Sequence, residues 1–455
     1  MNLFTIMEND ALYIIKTIEK SGFEAFAVGG CVRDILLGIE PKDWDICTSA
    51  LPNQILEIFS AHKILLTGEK YGTVTLLLNN TPYEITTYRI ESEYSNNRQP
   101  DKVEFVSDLK TDLSRRDFTI NALAYHPEKG IIDYFSSEKD IKNRQIKCVG
   151  NAEKRFNEDA LRILRALRFA AVFNFDIEDE TANALFKYKK LLKNISVERI
   201  AIEMNKLLLG DNAGNIIKEF FPIFEEFFPE LSPIKNFEQN NKYHCYDVLV
   251  HTCQSIDHAP KDIYVRLAML FHDCGKPETY TETGGIGHFY GHAKVSQIIA
   301  ISCLSRLKYD KKTIKIVAGL VLKHNDDIQP TKKSIKKWLN KIGEKEFRQL
   351  LEVVKADNLA KSMYAKEKKM PAFQQIEPLL NEIINQKQCF SLKDLAINGQ
   401  DLIGLGFSES KRIGEILNTL LEMVLNDEIE NNKIILLNVA SAFLPSFVKG
   451  GSRDI

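Results

Sequence analysis

The sequence predicts an α+β protein, a mixed sheet followed by a long all-helical remainder. Three observations carry this expectation. Short β-type runs are concentrated before residue 147, and helical periodicity dominates afterwards. The chain has 455 residues, 44% hydrophobic and 27% charged, enough to bury several cores.

The elements follow in order. Residues 8–21 read as a helix, and FEAFAVGG reads as a buried strand ending in glycines. VRDILLG opens a helix, and WDICT is a short strand. TVTLLLNNTPYEITTYR reads as a hairpin around Asn79–Pro82. Texture places domain boundaries at 1–146, 147–215, 216–370 and 371–455. The second segment is helical through NEDALRILRALRFAAVF and ISVERIAIEMNKLLL. The third gathers seven of the nine His, and the fourth is helical with a frayed end, FVKGGSRDI.

Composition excludes several classes. Lys+Arg is 60 against Asp+Glu 62, a net charge of −2, which rules out a globally basic nucleic-acid coat but leaves room for a local basic groove. No window approaches the ~18 uncharged apolar residues of a membrane span. The opening MNLFTIMENDALYIIK carries acids where a signal peptide would carry bases. Eight Cys stand singly without a CxxC pair, as in a reduced cytoplasmic protein.

Chemistry gathers at three places. Gly29 and Gly30 lie between a strand and a helix, where a backbone can approach phosphate, although a plain turn explains them equally well. Arg33 follows on that helix. Asp43 and Asp45 are two apart, so on a strand both carboxylates face one way, and parallel carboxylates repel unless cations lie between them. Two Mg²⁺ ions ~3.5–4 Å apart suit that arrangement; a solvated edge strand is the bland alternative. Glu84 in YEITTYR offers a third carboxylate from a neighbouring strand, or is an exposed strand acid. In RRDFTIN, Arg115 and Arg116 beside Asp117 and Asn121 suit a triphosphate and a ribose, or form a surface salt-bridge cluster.

Farther on, Glu158, Asp159 and Arg162 begin a helix with Arg165 and Arg168 behind them, and Asp159 and Arg162 are spaced as surface neighbours. They are either an ordinary ion pair or a base reader. Cytosine and adenine both place an amino group beside an unprotonated ring nitrogen. Asp can accept from the first while Arg donates to the second, and uracil and guanine invert both positions. The third place is His251, His272, Asp273, His292, His324 and Asp357, whose number and type suit one or two divalent metals of unspecified identity; His244 and His288 fit that pattern less well.

In order and spacing, GGCVRD, DWD, YEITTYR, RRDFTINALAYH, NEDALRILRALRF and ISVERI resemble the class II tRNA nucleotidyltransferases, the CCA-adding enzymes and bacterial poly(A) polymerases of the polymerase-beta-like superfamily. The resemblance covers about residues 20–210. It implies a nucleotidyltransferase head, then a helical neck, body and tail. It implies Mg²⁺ on Asp43 and Asp45, phosphate and ribose handling by Arg116, Asp117 and Asn121, and base selection by Asp159 and Arg162 with Glu158 supporting the helix. Glu198 and Arg199 match a helix-stabilising element of the neck.

The substrates implied are CTP, ATP and the 3′ end of tRNA. The polar stretch Glu91–Asp101 resembles a loop needed to switch from C to A addition. DYFSSEKDI departs from the Gly-Gly turn usual there, which implies a differently built hinge. The His constellation resembles a fused HD-domain phosphohydrolase. Eleven Lys/Arg against three Asp between Arg306 and Lys341 offer a helical surface for a phosphate backbone, and LKDLAINGQDLIGLGFSESKRIGEIL resembles the tRNA-gripping tail. An A-adding or poly(A) polymerase, an HD phosphohydrolase with an inactive RNA-binding head, and a non-enzymatic tRNA-binding factor are the alternatives.

Overall fold

The computed structural model describes residues 7–92, 102–408 and 411–444, and the chain forms two compact units. The first comprises Met1–Phe237, Lys261–Leu267 and Ile299–Ile314; the second comprises Glu238–Pro260, Ala268–Ile298 and Lys315–Ile455. The expected C-to-A loop, beyond Ser92, and the expected frayed end lie outside the described residues.

The first unit opens with α1 (Asn9–Lys20), β1 (Ala25–Val28), α2 (Gly30–Leu36), β2 (Ile46–Thr48), α3 (Pro52–Ile58), β3 (Lys63–Gly68), β4 (Thr73–Leu78) and β5 (Thr81–Thr87). The ribbon β6 (Arg89–Ser92) and β7 (Lys102–Phe105) follows, then α4 (Leu109–Ser114), β8 (Leu123–His126), β9 (Gly130–Asp133) and α5 (Ser137–Lys142). Seven strands form one sheet in the order β3-β4-β5-β2-β1-β8-β9; β2 and β5 run parallel and all other neighbours antiparallel. The sheet is therefore mixed.

Local chemistry explains the joints. All four residues of β1 are buried, as an inner strand requires. α1 buries Ala11, Ile14, Ile15 and Ile18, one face at helical spacing. Asn79 and Asn80 both have positive φ (50° and 66°), the two-residue turn whose twist matches a hairpin. At the departure from the Gly-Gly pattern, Ser136 takes the left-handed conformation (φ 61°) that a glycine would otherwise supply. The Asp133 carboxylate stabilises that turn by accepting from the backbone N–H of Phe135, Ser137 and Glu138 at 2.9–3.0 Å.

The rest of the first unit is helical apart from the short parallel pair β10 (Gln145–Ile146) and β11 (Asp176–Ile177). Its helices are α6 (Ala152–Glu158), α7 (Leu161–Phe173), α8 (Asp179–Tyr188), α9 (Val197–Leu208), α10 (Ala213–Glu219) and α11 (Phe221–Phe224). α6 and α7 are separate, because Asp159 between them is extended (φ −135°, ψ 107°). The expectation of one helix starting at Glu158 is thus corrected. Asp159 and Arg162 are not an i,i+3 pair on a helix face, and each finds its own partner.

The second unit contains α12 (Val248–His258), and α13 (Ile263–Phe271) carries residues of both units. α14 (Lys276–Thr279) and the hairpin β12 (Thr281–Thr283) and β13 (Ile286–His288) come next. They precede α15 (His292–Arg306) and α16 (Lys311–Lys323), which also carry residues of both units. α17 (Lys332–Leu359) is broken at Gly343 (φ 77°) and followed by α18 (Met363–Phe373) and α19 (Ile376–Asn385). α20 (Gly399–Gly404), α21 (Lys411–Leu425) and α22 (Lys433–Ser441) close around a core that includes Leu402, Leu420 and Leu436.

The basic run 306–341 is not one helical surface. It spans three helices and both units, and several of its charges are engaged: Arg306 with Glu230, Lys308 with Glu198, Lys332 with Glu382 and Lys336 with Asp427.

Candidate functional site: a carboxylate and guanidinium cavity and a histidine cluster

In the first unit, one cavity of about 640 Å³ is lined by Gly29, Gly30, Arg33, Asp43, Asp45, Glu84, Arg116, Asp117, Asn121, Asp159, Arg162 and Arg165, whereas Glu158 and Glu198, also singled out from the sequence, do not line it. The two aspartates precede β2 rather than lying in it, but the chain is already extended there, and the Asp45 carbonyl accepts from Val28 N–H at 2.9 Å. Buried Trp44 stands between Asp43 and Asp45, which line the cavity, and this gives the expected alternation. β2 and β5 pair in parallel with Ile46 beside Ile85, so Asp45 and Glu84 each stand one residue ahead of that pair. The Asp45 carboxyl is pushed up to about 6, first by burial and then by the negative charges of Glu84 and Asp43, with Arg116 opposing. A site that strains a carboxylate in this way is one a cation relieves.

The guanidiniums are held in fixed positions. Gly29 (φ 78°) allows the close approach: a Cβ there would lie 2.9 Å from Arg116 Nη1. Arg33 Nη1 donates to Asn121 Oδ1 at 2.6 Å, and its other nitrogens reach Asp34. Asn121 donates to Asp117 Oδ1 at 3.1 Å, and Arg165 Nε donates to Asp117 Oδ2 at 2.7 Å. Burial alone would raise the Asp117 carboxyl, but Arg165, Asn121 and Arg162 outweigh it and hold Asp117 well below the usual range. Asp117 thus acts on the cavity through Asn121 and Arg165. Arg116 leans on Asp112 at 3.5 Å.

Asp159 and Arg162 are oriented separately. Arg162 Nη1 donates to Glu158 Oε2 at 2.7 Å and to the Arg155 carbonyl at 3.2 Å, and Nη2 donates to the Arg115 carbonyl at 3.0 Å. Glu158 also pairs with Arg155 at 3.0 Å. Asp159 Oδ2 accepts from Arg199 Nη2 at 3.2 Å. Arg199, read from the sequence only as a helix stabiliser, therefore lines the cavity, as does Arg168. Arg115 turns to Asp112 and Glu91, and its contribution is its backbone carbonyl.

In the second unit, all six residues of the His/Asp constellation converge. His251, His272, Asp273 and Asp357 place ligand atoms within 4.8 Å of one another, as do Asp273, His292 and His324. The carboxylate of Asp273 is shared: Oδ2 faces His251 and His272, both at 3.2 Å, and Oδ1 faces His292 at 3.4 Å and His324 at 3.6 Å. Each Nδ1 sits against a backbone carbonyl: His251 on Ala360 at 3.3 Å, and His272, His292 and His324 on Met269, Phe289 and Val321 at 2.7 Å. A carbonyl only accepts, so the proton belongs on Nδ1 and the bare Nε2 lone pairs point inward. Nε2 atoms lie 3.2 Å apart in both His251/His272 and His292/His324. Lone pairs so close repel unless a cation lies between them, so this donor set fits divalent metal.

Two residues absent from the sequence reading complete the cluster. Buried Lys276 reaches Asp273 Oδ2 at 2.7 Å, and buried Lys361 reaches Asp357 Oδ2 at 2.5 Å. The HDCGK run and the i,i+4 spacing from Asp357 were the available signals. His244 and His288 line the cavity over the cluster without joining it.

The chain is similar to known proteins along nearly its whole length. A poly A polymerase head domain model matches residues 25–147, a model described as a probable RNA- and SrmB-binding site of polymerase A matches 174–235, and a model of tRNA nucleotidyltransferase domain 2 matches 281–440. The CCA-adding enzyme of Ligilactobacillus salivarius is 35% identical over 448 residues, covering 95% of this chain and 96% of that protein. That of Lactococcus lactis subsp. cremoris is 34% identical, covering 95% of each. The crystal structure of the Bacillus stearothermophilus CCA-adding enzyme in complex with CTP superposes with a TM-score of 0.68 at 28% identity, covering 96% of this chain and 98% of that one.

Proposed function

The chain belongs to the family of CCA-adding enzymes, and on that premise we propose that it adds C, C and A to the 3′ end of tRNA from CTP and ATP without a template. The observation that carries this reading is the single cavity that presents Asp43, Asp45 and Glu84 together with fixed guanidiniums and with Asp159 and Arg162. We assign a head at 1–146, a neck at 147–215, a body at 216–370 and a tRNA-binding tail at 371–455. Eight free thiols agree with a cytoplasmic setting, and among the described residues no helix is long and apolar enough to cross a membrane.

In the reaction the tRNA 3′-hydroxyl attacks the α-phosphate of the bound nucleotide, the α–β bridging bond breaks and pyrophosphate leaves. Asp43 and Asp45, with Glu84 beside them, would hold Mg²⁺, which supplies charge neutralisation to the attacking oxygen and the leaving phosphates. Arg116 and Arg33 bind the triphosphate. Gly29 keeps the backbone low enough for that approach, Asn121 faces the ribose, and Arg165 is steadied by Asp117. Asp159 accepts from the amino group of cytosine or adenine, and Arg162 donates to the adjoining ring nitrogen.

The test is an end-sequenced extension of a tRNA lacking CCA, with Mg²⁺ and CTP, ATP or both. A defined CCA end from both nucleotides and a stop at CC with CTP alone is the expected result. A long A tract would replace this reading with a poly(A) polymerase, and A addition only to a CC end would make it an A-adding enzyme.

Two further outcomes follow. Gly29→Ala combines strain at positive φ, about 1–2 kcal/mol, with displacement of Arg116, so KM for CTP rises about ten-fold or more; steady-state kinetics check this. The Asp45 carboxyl, raised to about 6, binds a proton in competition with metal. The Mg²⁺ concentration for half-maximal CTP incorporation therefore climbs up to ten-fold per pH unit below about 6 and levels off above about 7. An unchanged Mg²⁺ requirement between pH 5 and 8 would refute this.

We further propose that the second unit binds two divalent metal ions, one on His251, His272 and Asp357, the other on His292 and His324, with Asp273 between them. Ions held there would supply a hydroxide from water for the hydrolysis of a phosphate ester, the chemistry of an HD phosphohydrolase. The facing Nε2 pairs carry this assignment.

A further inference from the structure

The cavity above the His/Asp cluster, about 430 Å³, is framed by more than a phosphate ester needs. On one side His288 and Tyr290 are stacked, ring planes 7° apart and centroids 5.5 Å apart. Tyr290 is 79% exposed, the highest value among the large hydrophobic side chains of the described residues. An aromatic face held parallel to its neighbour yet left in water has no packing duty.

Elsewhere on the same unit, Tyr243 meets Tyr364 edge-on at 5.4 Å, with Lys242 Nζ 4.5 Å from the Tyr364 ring and Lys368 Nζ 5.7 Å from the Tyr243 ring. Tyr243, Lys368 and Lys369 line the cavity together with the metal-ligand residues. Aromatic faces interleaved with ammonium groups are what a single-stranded nucleic acid requires, since every base has a face to stack and every linkage a charge to pair. A mononucleotide would use one face and leave the other idle.

We propose that this cavity holds the phosphate-bearing end of a single-stranded RNA. Its terminal base lies on the Tyr290–His288 pair, its terminal phosphate sits over the His/Asp cluster, and the next nucleotide passes Lys368 and Lys369 toward Tyr243 and Tyr364. The inference rests on the reading of the cluster as a metal site for phosphate esters, and goes beyond it by naming a strand as the occupant.

The test uses the full chain with Mn²⁺ and fluorescent pentaadenylates bearing phosphate at the 3′ end, the 5′ end or neither. Anisotropy is expected to show at least ten-fold tighter binding of one phosphorylated pentamer than AMP achieves as a competitor. The preferred end is the one the cavity takes. Tyr290→Ala and Tyr364→Ala, both exposed and so tolerable to the fold, are each expected to weaken that pentamer about ten-fold, and Tyr290→Phe to restore it. Equal binding of pentamer and AMP, or tyrosine variants that bind as the parent does, overturns the inference.

Mn²⁺ stoichiometry and hydrolysis of p-nitrophenyl phosphate, which has no base, report on the metal reading alone. If both persist while the tyrosine substitutions do nothing, the strand inference falls and the hydrolase reading stands. If both are absent while the tyrosine substitutions still weaken the pentamer, the strand site stands and the hydrolase reading falls.

Discussion

Asp45→Asn is expected to lower CTP incorporation by about 10³-fold or more while making the metal-free protein more resistant to unfolding at neutral pH. The loss follows from removing a carboxylate that would carry the Mg²⁺ whose charge the reaction needs. The gain follows from the electrostatics of the site. Burial, Glu84 and Asp43 raise the Asp45 carboxyl to about 6, so its ionised form is disfavoured in the folded chain relative to the unfolded one. Between the ordinary carboxyl range and about 6 the folded state holds more protons than the unfolded state, so stability falls as pH rises through that window. The amide removes the penalty. The stabilisation should therefore be full above about 6, shrink through that window and vanish below about 4, where the parent is protonated anyway. Paired thermal melts at pH 4 and 7.5, beside the extension assay, check both halves. A variant that loses activity and stability together would mean that Asp45 is a structural residue and not a strained metal ligand.

The sheet and the first site were legible in the sequence because they depend on local alternation. Gly29 and Gly30 between a strand and a helix, the Asp43/Trp44/Asp45 alternation and the Asn79–Asn80 turn are all set by residues a few positions apart. The His/Asp cluster was legible for another reason: six residues of scarce metal-binding types recur in one helical stretch. The break at Asp159 was not legible. NEDALRILRALRF reads as one continuous helix, and no Gly or Pro marks the interruption. What holds the break open is partly local and partly tertiary: Asp159 Oδ1 accepts from the Leu161 N–H at the start of α7, while Arg199, forty residues on, takes Asp159 Oδ2 and the Arg115 carbonyl takes Arg162. The basic run 306–341 misled for a related reason. Counting charges ignores partners such as Glu230, Glu198, Glu382 and Asp427, which only the fold brings to those cations. Lys276 and Lys361 were overlooked because a lysine near metal ligands looks like a solvated charge until its burial is known.

The separate anchoring of Asp159 and Arg162 makes a contrast that one ion pair would not. Glu158 is buried and pairs with Arg155 and Arg162 at once, so Glu158→Ala removes the carboxylate that two guanidiniums share, leaving them with backbone carbonyls. Breaking a buried pair of this kind costs about 3–5 kcal/mol, enough to lower the melting temperature clearly. Arg162 would also lose the contact that aims it, and selection of CTP and ATP over UTP and GTP should weaken with it. Arg199→Ala removes a half-buried partner of Asp159, 27% and 18% exposed, and a single pair that is not fully buried is worth about 1 kcal/mol. Its melting temperature should hardly move. Yet Asp159, left with the Leu161 N–H on one oxygen and no partner on the other, would present a less firmly fixed acceptor to an amino group, and misincorporation of UMP or GMP should rise about ten-fold, as the loss of one oriented hydrogen bond predicts. Single-nucleotide incorporation with all four triphosphates, beside melts of both variants, separates the effects. If Arg199→Ala selects as the parent does, the Leu161 N–H alone suffices to hold Asp159, and Arg199 has no part in reading the base. If it misincorporates without losing stability, the base is read by two groups that two different parts of the neck hold in register, which explains how one rigid cavity accepts a pyrimidine and a purine and rejects the other two.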